Sequence, residues 1–498
     1  MMRPQSRGGR PRTAAVNDRR RQGSLFRQVY DRIRHGIAAG SMRPGDRVPS
    51  ARGLASELGI ARGTVEEAYQ LLVAEGYVVR RGAAGSFVAD GVAMEAVLSR
   101  RPVARPRRAA PAMPASVSVR HDRDALPFQL GVPALDAFPK GQWSRIVARH
   151  ARRLDATDLC YPDPLGLPRL RENIARYLTL SRGVACTAEQ IVVTGGFQGA
   201  LGLTARTVLE AGDEVWLEDP GYTIAHHPLA AAGARLSFVP VDREGLIVPA
   251  GEKQARTARL ALVTPSHQFP TCVPLSLPRR MALLAWARRS GAWIIEDDYD
   301  GEFHYAGRPL PALKSIDRDD RVLYAGSFSK TLFPGLRLGY VVVPAELLGH
   351  FVDAIKMADT TAPAFLQSVV ATFMEEGHFG RHLRRMRSLY GARRAALIGA
   401  LKATFGPRLD VVTSGGGLHL LARLPPRVRD TTIGRLGASR GLALHTLSPH
   451  CRGTTPQHAL ILPFTNVRER MALQVAQRLA RAIGAHLADA IGRNGRHT

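Results

Sequence analysis

The sequence has little cysteine and no long apolar run. Its four cysteines lie far apart without a Cys-x-x-Cys pair, so it indicates neither a disulfide framework nor a thiolate metal site. No apolar stretch reaches the roughly eighteen residues that a bilayer span needs. Residues 1–21 lack the apolar centre of a secretory signal. These absences predict a protein of the reducing cytoplasm with no membrane partner.

Acidic residues are scarce relative to basic ones. The 69 lysines and arginines outnumber the 42 aspartates and glutamates, which gives a formal net charge of +27 and a sequence pI near 11.1. Such a charge predicts a polyanionic partner, nucleic acid before membrane. Arginine is common in every region, so a general arginine bias is the alternative source of the charge.

Histidine spacing gives little support for a metal site. His378 and His382 lie four residues apart on a predicted helix, but no glutamate follows His378 as it does in zinc proteases. We therefore expect no metal ion.

Length and apolar content predict at least two folding units. The chain has 498 residues, of which 45% are hydrophobic. Composition divides it into a disordered basic arm at 1–22, a small domain at 23–89, a linker rich in arginine, proline and alanine at 90–125, and a large domain at 126–498. The arm could also mimic a transit peptide, and the charges of the linker could contact DNA phosphates.

The small domain has the pattern of a winged helix-turn-helix. Apolar residues recur every four positions at 25–40, which predicts an amphipathic helix that ends at a glycine. Two short helices follow at 50–58 and 61–75, separated by a glycine turn. Strand-like residues at 77–81 and 86–88 flank a glycine-rich turn and predict a two-stranded wing.

In this geometry the second short helix presents its N-terminal residues to the major groove. The residues predicted at the bases are Arg62, Gly63 and Thr64. The residues predicted near the DNA backbone are Arg52, Arg80 and Arg81, with Gly85 in the wing turn. The whole stretch at 49–77 resembles the GntR-type winged helix, which implies a double-stranded DNA operator as partner.

Two residues depart from the GntR pattern. Ala61 stands where the helix start is often Ser or Thr, which removes a cap. Glu66 occupies a position that carries a DNA-contacting arginine in some GntR proteins, and phosphate would repel an acid there unless it reads a cytosine amine. Sequence preference therefore cannot be carried over from the family.

The large domain alternates strand-like apolar runs with helical patterns, which predicts a mainly parallel α/β sheet covered on both faces. Five of these runs are each followed by polar or glycine-rich residues. The runs are 191–193, 215–217, 260–263, 293–295 and 322–325. Ligands bind beyond the carboxyl ends of the strands in open α/β sheets, so we expect the five loops to converge on one crevice.

The loop after the fifth run carries the most specific chemistry. Lys330 is an amine beside the hydroxyls of Ser327 and Ser329, and Arg337 follows a Pro-Gly turn that could fold the chain back. A lysine that loses its proton forms a Schiff base, whereas hydroxyls and a guanidinium suit phosphate oxygens. Pyridoxal phosphate is the cofactor that needs both. The plain alternative is a solvated loop lysine and a surface arginine.

Two other loops offer groups that match this cofactor. Gly196, at the start of a predicted helix, leaves the backbone amides of Phe197 and Gln198 free for a phosphate, although such a glycine is more often a plain turn. Tyr222 could lay its ring on a flat heterocycle, although a core position is its commoner fate.

The aspartate cluster at 297–300 also fits. Asp297 and Tyr299 share a face of an extended strand. A buried carboxylate keeps a pyridine nitrogen protonated, and a phenol two residues on can reach a ring hydroxyl. A magnesium site is the rival interpretation. The neighbouring loops offer cationic and amide groups rather than carboxylates, which disfavours the metal.

Longer strings resemble the MocR/GabR-type regulators, in which a GntR-type winged helix is fused to a fold-type I aminotransferase domain. They are Ser-x-Ser-Lys with Pro-Gly-Leu-Arg-x-Gly-Tyr, and the segments at 161–166, 218–222, 264–270 and 297–300. The resemblance implies a homodimer with pyridoxal phosphate on Lys330. The implied contacts are Ser327 and Arg337 to the phosphate, Asp297 to the pyridine nitrogen, Tyr299 with His267 or Gln268 near the ring oxygen, Tyr222 on the ring, and Tyr161 near the phosphate of its own or the partner subunit. Cys272 stands where the family usually has glycine, which leaves the local loop shape open.

The last predicted strand, at 459–464, lacks the arginine with which aminotransferases usually bind a substrate carboxylate. Arg452 is the nearest candidate for an effector carboxylate. A missing clamp predicts weak turnover of ordinary α-amino acids, because the reacting carbon is not positioned.

The sequence therefore predicts a DNA-binding transcriptional regulator that senses a small amine, an amino acid or pyridoxal phosphate itself through Lys330. The alternative is a catalytically active aminotransferase with a fused DNA-binding domain. A third interpretation, a sensor fold that has lost its cofactor, is disfavoured because Lys330, Asp297 and Arg337 are all present.

Overall fold

The computed structural model describes residues 13–90, 125–156, 158–307, 311–358, 361–425, 428–453 and 457–492. The chain forms two compact units, residues 1–120 and 121–498. Most of the predicted linker and the first part of the predicted arm lie outside the described residues. Among the described helices, none is both long and apolar enough to cross a bilayer.

Three helices and a hairpin make up the described part of the first unit. The helices are Thr13–Ala38 (α1), Ala51–Leu58 (α2) and Arg62–Ala74 (α3), and the antiparallel strands are Val78–Arg80 (β1) and Ser86–Val88 (β2). Helix α1 starts well before residue 25, so residues 13–22 are helical instead of a disordered arm. Alanine and arginine, which favour helix, are frequent in that stretch.

Local signals set the helix-turn-helix geometry. The Ser50 hydroxyl accepts a hydrogen bond from the Gly53 amide at 3.0 Å and so caps α2. Gly59 ends α2 with a φ of 65°, a left-handed conformation that suits glycine. Ala61 is the N-cap residue of α3 and provides no side-chain cap, as predicted. The apolar faces enclose one core, which contains Val29, Ile33, Val65, Leu72 and Val78.

A mixed eight-stranded sheet forms the centre of the second unit. Its strands are Ile191–Thr194 (β3), Glu214–Asp219 (β4), Arg235–Asp242 (β5), Gly245–Leu246 (β6), Leu260–Val263 (β7), Trp293–Asp297 (β8), Val322–Ser327 (β9) and Gly339–Val342 (β10). Their order is β3-β10-β9-β8-β7-β4-β5-β6. Strands β4, β5, β7, β8 and β9 run parallel, whereas β10 is antiparallel to β3 and β9, and β6 is antiparallel to β5.

Helices precede, connect and follow these strands. They are Lys140–Ala151 (α4), Pro168–Arg182 (α5), Phe197–Val208 (α6), His226–Ala231 (α7), Val248–Gln254 (α8), Leu277–Ser290 (α9), Leu313–Ile316 (α10), Phe328–Thr331 (α11), Leu348–Ala358 (α12) and Ala364–Glu375 (α13). Both faces of the sheet are buried, because Leu217 joins one apolar cluster while the preceding residue, Trp216, joins another.

A smaller α+β part follows, as predicted. Its antiparallel strands are Asp410–Val412 (β11), His419–Arg423 (β12), His445–Thr446 (β13) and Ala459–Pro463 (β14), in the order β11-β12-β14-β13. Its helices are His378–Phe405 (α14), Asp430–Ser439 (α15) and Ala472–Gly492 (α16).

Candidate cofactor site

Residues at or beyond the ends of five strands of the large sheet, which are β3, β4, β7, β8 and β9, line one cavity of about 200 Å³. They include Phe197, Gln198, Tyr222, Phe269, Asp297, Tyr299, Ser327, Ser329, Lys330 and Arg337. The antiparallel strand β10 helps to bring them together, because Gly339 at its start pairs with both Thr194 at the end of β3 and Ser327 at the end of β9. The predicted convergence of the five loops is therefore what the fold produces.

Lys330 lies in a short helix that its own loop stabilises. The Ser327 hydroxyl accepts a hydrogen bond from the Ser329 amide at 3.2 Å and so caps α11. The Lys330 amine donates to the Gly131 carbonyl oxygen at 3.3 Å. Burial lowers the pKa of Lys330 from its ordinary value, although the nearby Asp297 opposes the shift. The amine is thereby closer to the neutral, nucleophilic form at neutral pH.

Asp297, the last residue of β8, presents a carboxylate that the protein does not satisfy. Its Oδ1 atom is buried and has no hydrogen-bond partner among the described residues. Burial, and then the neighbouring Asp298, raise the pKa of Asp297 well above its ordinary value. A protonated ring nitrogen is the kind of partner that such a carboxylate needs, so this atom fits pyridoxal phosphate.

Groups suited to a phosphate collect around the start of α6. Gly196 caps this helix with a φ of 87°, and a Cβ there would lie 3.9 Å from the Arg337 guanidinium. Arg337 donates to the Gly195 carbonyl oxygen at 3.3 Å and keeps an exposed face. The buried Nε2 donor of Gln198 makes no hydrogen bond of ordinary geometry among the described residues, although it is near enough to the Tyr222 hydroxyl to lower the pKa of that group. Free donors at a helix N-terminus fit phosphate oxygens.

Aromatic side chains form another part of the lining. The Tyr222 and Phe269 rings meet edge to face with centroids 5.7 Å apart. Burial raises the pKa of Tyr222 to about 12, which keeps its phenol neutral. The Tyr299 hydroxyl donates to the His267 carbonyl oxygen at 3.1 Å. Tyr222 and Tyr299 thus both line the cavity, and their contacts with a cofactor ring stay predictions.

The histidine and glutamine proposed for the ring oxygen do not line this cavity. His267 instead places Nδ1 2.9 Å from Oδ1 of Asp300, and Gln268 donates to the Pro220 carbonyl oxygen at 2.8 Å. Both side chains are buried, so they satisfy internal partners and support the loop.

Clustered aspartates do not form a metal site among the described residues. Asp298 accepts from Arg182 at 2.7 Å, and Asp300 pairs with His267. Asp298 and Asp300 therefore each have a cationic or imidazole partner, which disfavours the magnesium interpretation.

The first unit presents part of the predicted DNA surface. Arg62 and Gly63 are exposed at the start of α3, and Nε of Arg62 lies 2.8 Å from Oε1 of Glu66. Thr64 is only 9% exposed, because this position of α3 turns into the core. The prediction that Thr64 contacts the DNA bases is therefore wrong. The arginines predicted near phosphates are exposed, and these are Arg52, Arg80 and Arg81.

The wing turn is tight at Gly85. Its φ of 106° favours glycine, and a Cβ there would lie 3.2 Å from Nε of Arg47. Gly85 therefore shapes the wing through its backbone.

Comparisons with known proteins agree with both units. Residues 136–445 match the family model "Aminotransferase class I and II", and residues 25–88 match "Bacterial regulatory proteins, gntR family". The probable rhizopine catabolism regulatory protein MocR of Rhizobium meliloti is 37% identical over 459 residues, which cover 91% of this chain and 92% of that protein. The chain belongs to the MocR-type transcriptional regulators.

Further members of the family are similar over much of their length. The regulator TauR of Rhodobacter capsulatus is 38% identical over 76% of this chain and 80% of that protein. The pyridoxine biosynthesis regulator PdxR of Corynebacterium glutamicum is 31% identical over 89% of this chain and 92% of that protein.

Solved aminotransferases share the fold of the second unit. LysN of Thermus thermophilus, an α-aminoadipate aminotransferase, has a TM-score of 0.67 at 29% identity, covering 73% of this chain and 93% of that one. The kynurenine aminotransferase of Pyrococcus horikoshii has a TM-score of 0.66 at 26% identity, covering 73% and 92%. The MocR-type regulator described here thus joins a winged-helix head to an aminotransferase fold.

Two predicted contact residues stand apart from the cavity. Tyr161 is 99% exposed, so a contact with the phosphate of a partner subunit stays a prediction. Arg452 is exposed and does not line the cavity, and its backbone amide donates to Oδ1 of Asp219 at 2.7 Å. Its predicted role with an effector carboxylate has no support in this arrangement.

The sequence pattern missed the residues that close the cavity from other parts of the chain. They are Leu130, Gly131, Val132, Pro133, Leu418, His419, Pro463 and Thr465. The segment at 130–133 precedes all the recognised strands of the large domain, and the other four residues belong to strands of the smaller sheet or lie within two residues of one. No spacing in the sequence connects them with Lys330, because their contact depends on tertiary packing.

Proposed function

We propose that this MocR-type regulator binds a double-stranded DNA operator through its winged-helix head and reads a small amine in the cavity around Lys330. The observation that carries the proposal is the pairing, in one cavity, of the Lys330 amine with the unsatisfied buried carboxylate of Asp297. Pyridoxal phosphate is the cofactor, since its aldehyde and its ring nitrogen need these two groups.

Different lining residues would contact different parts of the cofactor. Lys330 would hold the aldehyde carbon, Asp297 would keep a proton on the ring nitrogen, and Tyr222 would lie on the ring. The phosphate would be bound by the residues at the start of α6 and by the loop after β9, which are Gly196, Phe197, Gln198, Ser327, Ser329 and Arg337. Bound there, pyridoxal phosphate supplies an electrophilic carbon that primary amines attack.

Regulation requires that the effector favour one conformation of the dimer over another, because a ligand with equal affinity for both shifts nothing. A homodimer in which Tyr161 reaches toward the phosphate of the partner subunit would give the 99% exposed ring a buried environment. MocR and PdxR are named for small-molecule catabolism and for pyridoxine biosynthesis, which supports a metabolic amine or the cofactor itself as the signal.

Sustained transamination is the second candidate function. The presence of both Lys330 and Asp297 favours it, since these groups are what the chemistry needs at the carbonyl carbon and the ring. Among the described residues that line the cavity, Lys330 and Arg337 are the only cations, and both are assigned to the cofactor. No side chain is left to position a substrate carboxylate, so we expect little turnover.

The visible absorbance of the purified protein tests the cofactor proposal. Wild type with added pyridoxal phosphate should show an absorbance band that small amines change, and Lys330→Ala should lose or shift the band. Lys356→Ala, which removes an exposed lysine of α12, is the matched control and should behave as wild type. No band in wild type would overturn the cofactor assignment, and steady conversion of an amino acid and a keto acid would favour the enzyme.

A further inference from the structure

The smaller sheet contributes one wall of the cavity that the cofactor contacts do not use. His419 opens β12, Pro463 ends β14, and the two residues pair across the sheet. Thr465 follows, and all three line the cavity. This wall is where a small effector meets groups that are free of the cofactor, so its hydrogen-bonding character decides which amines the protein can recognise.

The hydrogen bonds of His419 determine its tautomer. Its Nε2 atom lies 3.0 Å from the Pro270 carbonyl oxygen. A carbonyl oxygen only accepts, so Nε2 carries the proton and Nδ1 holds a lone pair. Burial lowers the pKa of His419, so the ring is neutral at neutral pH.

The same contacts orient the imidazole. The Sγ atom of Cys272 lies 3.1 Å from Nε2 of His419, and neither Cys272 nor Pro270 lines the cavity. Cys272 has a φ of 65°, a left-handed conformation that favours glycine, and this places its thiol beside the ring. The Nε2 edge is thus held away from the cavity lining. Nδ1 has no hydrogen-bond partner among the described residues.

Thr465, the other polar side chain of this wall, can also only accept further hydrogen bonds. The Thr465 hydroxyl donates its only proton to the Val132 carbonyl oxygen at 2.6 Å, so its lone pairs alone remain. The apolar side chains of Leu130, Phe269 and Leu418 form much of the surrounding lining. In the described part of the chain, no cationic side chain of the cavity remains for a carboxylate once Lys330 and Arg337 are assigned to the cofactor.

We propose that His419 is a specificity-determining residue, and that the effector is a primary amine with a neutral hydrogen-bond donor, such as a hydroxyl, and without a carboxylate. The amine reaches the cofactor at Lys330, while the hydroxyl donates to Nδ1 of His419. A carboxylate on this wall would meet lone pairs and apolar surface, which leaves its charge without a partner. An alkyl amine would leave Nδ1 unsatisfied. This inference rests on the proposed function.

Three amines of similar size test the inference in the holoprotein. They are 3-aminopropan-1-ol, butylamine and β-alanine, titrated while the absorbance of the cofactor is followed. We expect the half-saturating concentration of 3-aminopropan-1-ol to be about tenfold or more below those of the other two. Equal concentrations for all three, or the lowest one for β-alanine, would overturn the assignment of the effector class.

Two variants separate recognition by His419 from a structural role. His419→Ala should abolish the preference for 3-aminopropan-1-ol over butylamine, with the butylamine response retained. His419→Asn can keep an acceptor near the position of Nδ1 and should restore part of the preference. An unchanged ratio of the half-saturating concentrations of butylamine and 3-aminopropan-1-ol in both variants would contradict the role of His419.

The same titration distinguishes failure of this inference from failure of the proposed function. A holoprotein that shows the cofactor band but responds to none of the three amines would overturn amine sensing as a whole. A response to all three without preference would overturn the inference alone.

Discussion

Nε of Arg182 lies 2.7 Å from Oδ2 of Asp298, and the two side chains are only 4% and 1% exposed. Tyr324 and Ser266 also donate to Asp298, at 2.6 and 2.7 Å. Burial by itself would raise the pKa of Asp298, but Arg182 and these hydrogen bonds bring it below its ordinary value. Asp298 therefore stays charged next to Asp297, whose pKa it helps to raise.

Removing Arg182 should destabilise the second unit. In Arg182→Met the carboxylate of Asp298 remains buried without its cation, and we expect the free energy of unfolding to fall by about 3–5 kcal/mol. Urea denaturation followed by tryptophan fluorescence measures this change. Arg289→Met is the control, since Arg289 and Glu252 form a pair that is 58% and 41% exposed, and it should cost less than about 1 kcal/mol. Equal losses of unfolding free energy in Arg182→Met and Arg289→Met would show that burial of the Arg182–Asp298 pair does not increase its contribution to stability.

Glu218 should make the stability of the protein fall as pH rises. Burial raises the pKa of this carboxyl to about 7, so the folded state holds a proton that the unfolded state releases near pH 4.5. Glu218→Gln keeps an acceptor for the Thr264 hydroxyl, which lies 2.6 Å from Oε2. The variant should match wild type below about pH 4.5 and exceed it by about 3 kcal/mol above pH 7.

The difference in the free energy of unfolding between wild type and Glu218→Gln reports on Glu218 alone, because the other buried carboxyls are the same in both proteins. It is measured by urea denaturation at pH 5, 6, 7 and 8, with the exposed Glu244→Gln as control. A difference that stays constant over this range would contradict the raised pKa.

Asp297→Asn should weaken the binding of pyridoxal phosphate. The amide has no charge with which to keep the ring nitrogen protonated, and a hydrogen bond between charged groups contributes about 1.5–3 kcal/mol. We expect a tenfold or greater rise in the dissociation constant of the cofactor, together with a shift of its absorbance band. Fluorescence quenching on titration with pyridoxal phosphate gives the constant, and the exposed Asp353→Asn should leave it unchanged. Unchanged affinity in Asp297→Asn would refute the contact with the ring nitrogen.

Glu66→Ala should strengthen DNA binding. The substitution releases Arg62, which Glu66 contacts at 2.8 Å, and removes a negative charge from the predicted DNA-binding surface. We expect a several-fold fall in the dissociation constant for a DNA fragment that the protein itself selects, measured by fluorescence polarisation. The adjacent, exposed Glu67→Ala is the matched control and should have the smaller effect. Weaker binding by Glu66→Ala would instead support direct reading of a base by the acid.

By itself, the sequence determined the local architecture and which strand-end residues line the cavity. Ser50 and Gly59 specify the ends of a helix through a side-chain cap and a left-handed backbone, and both act within a few residues. Asp297 and Lys330 could be placed in one crevice, because the ends of neighbouring strands meet at one edge of a sheet.

Tertiary structure alone decided which polar groups remain free. His267 is paired with Asp300, and Thr64 turns into the core of the head, although the sequence predicted that they would contact the cofactor and the DNA bases. His419, in the smaller sheet, and Thr465, just after its last strand, line the cavity although both lie far from Lys330 in sequence. The physical reason is that capping and strand patterning depend on neighbours in sequence. The partner of a buried polar atom is set by packing between distant segments.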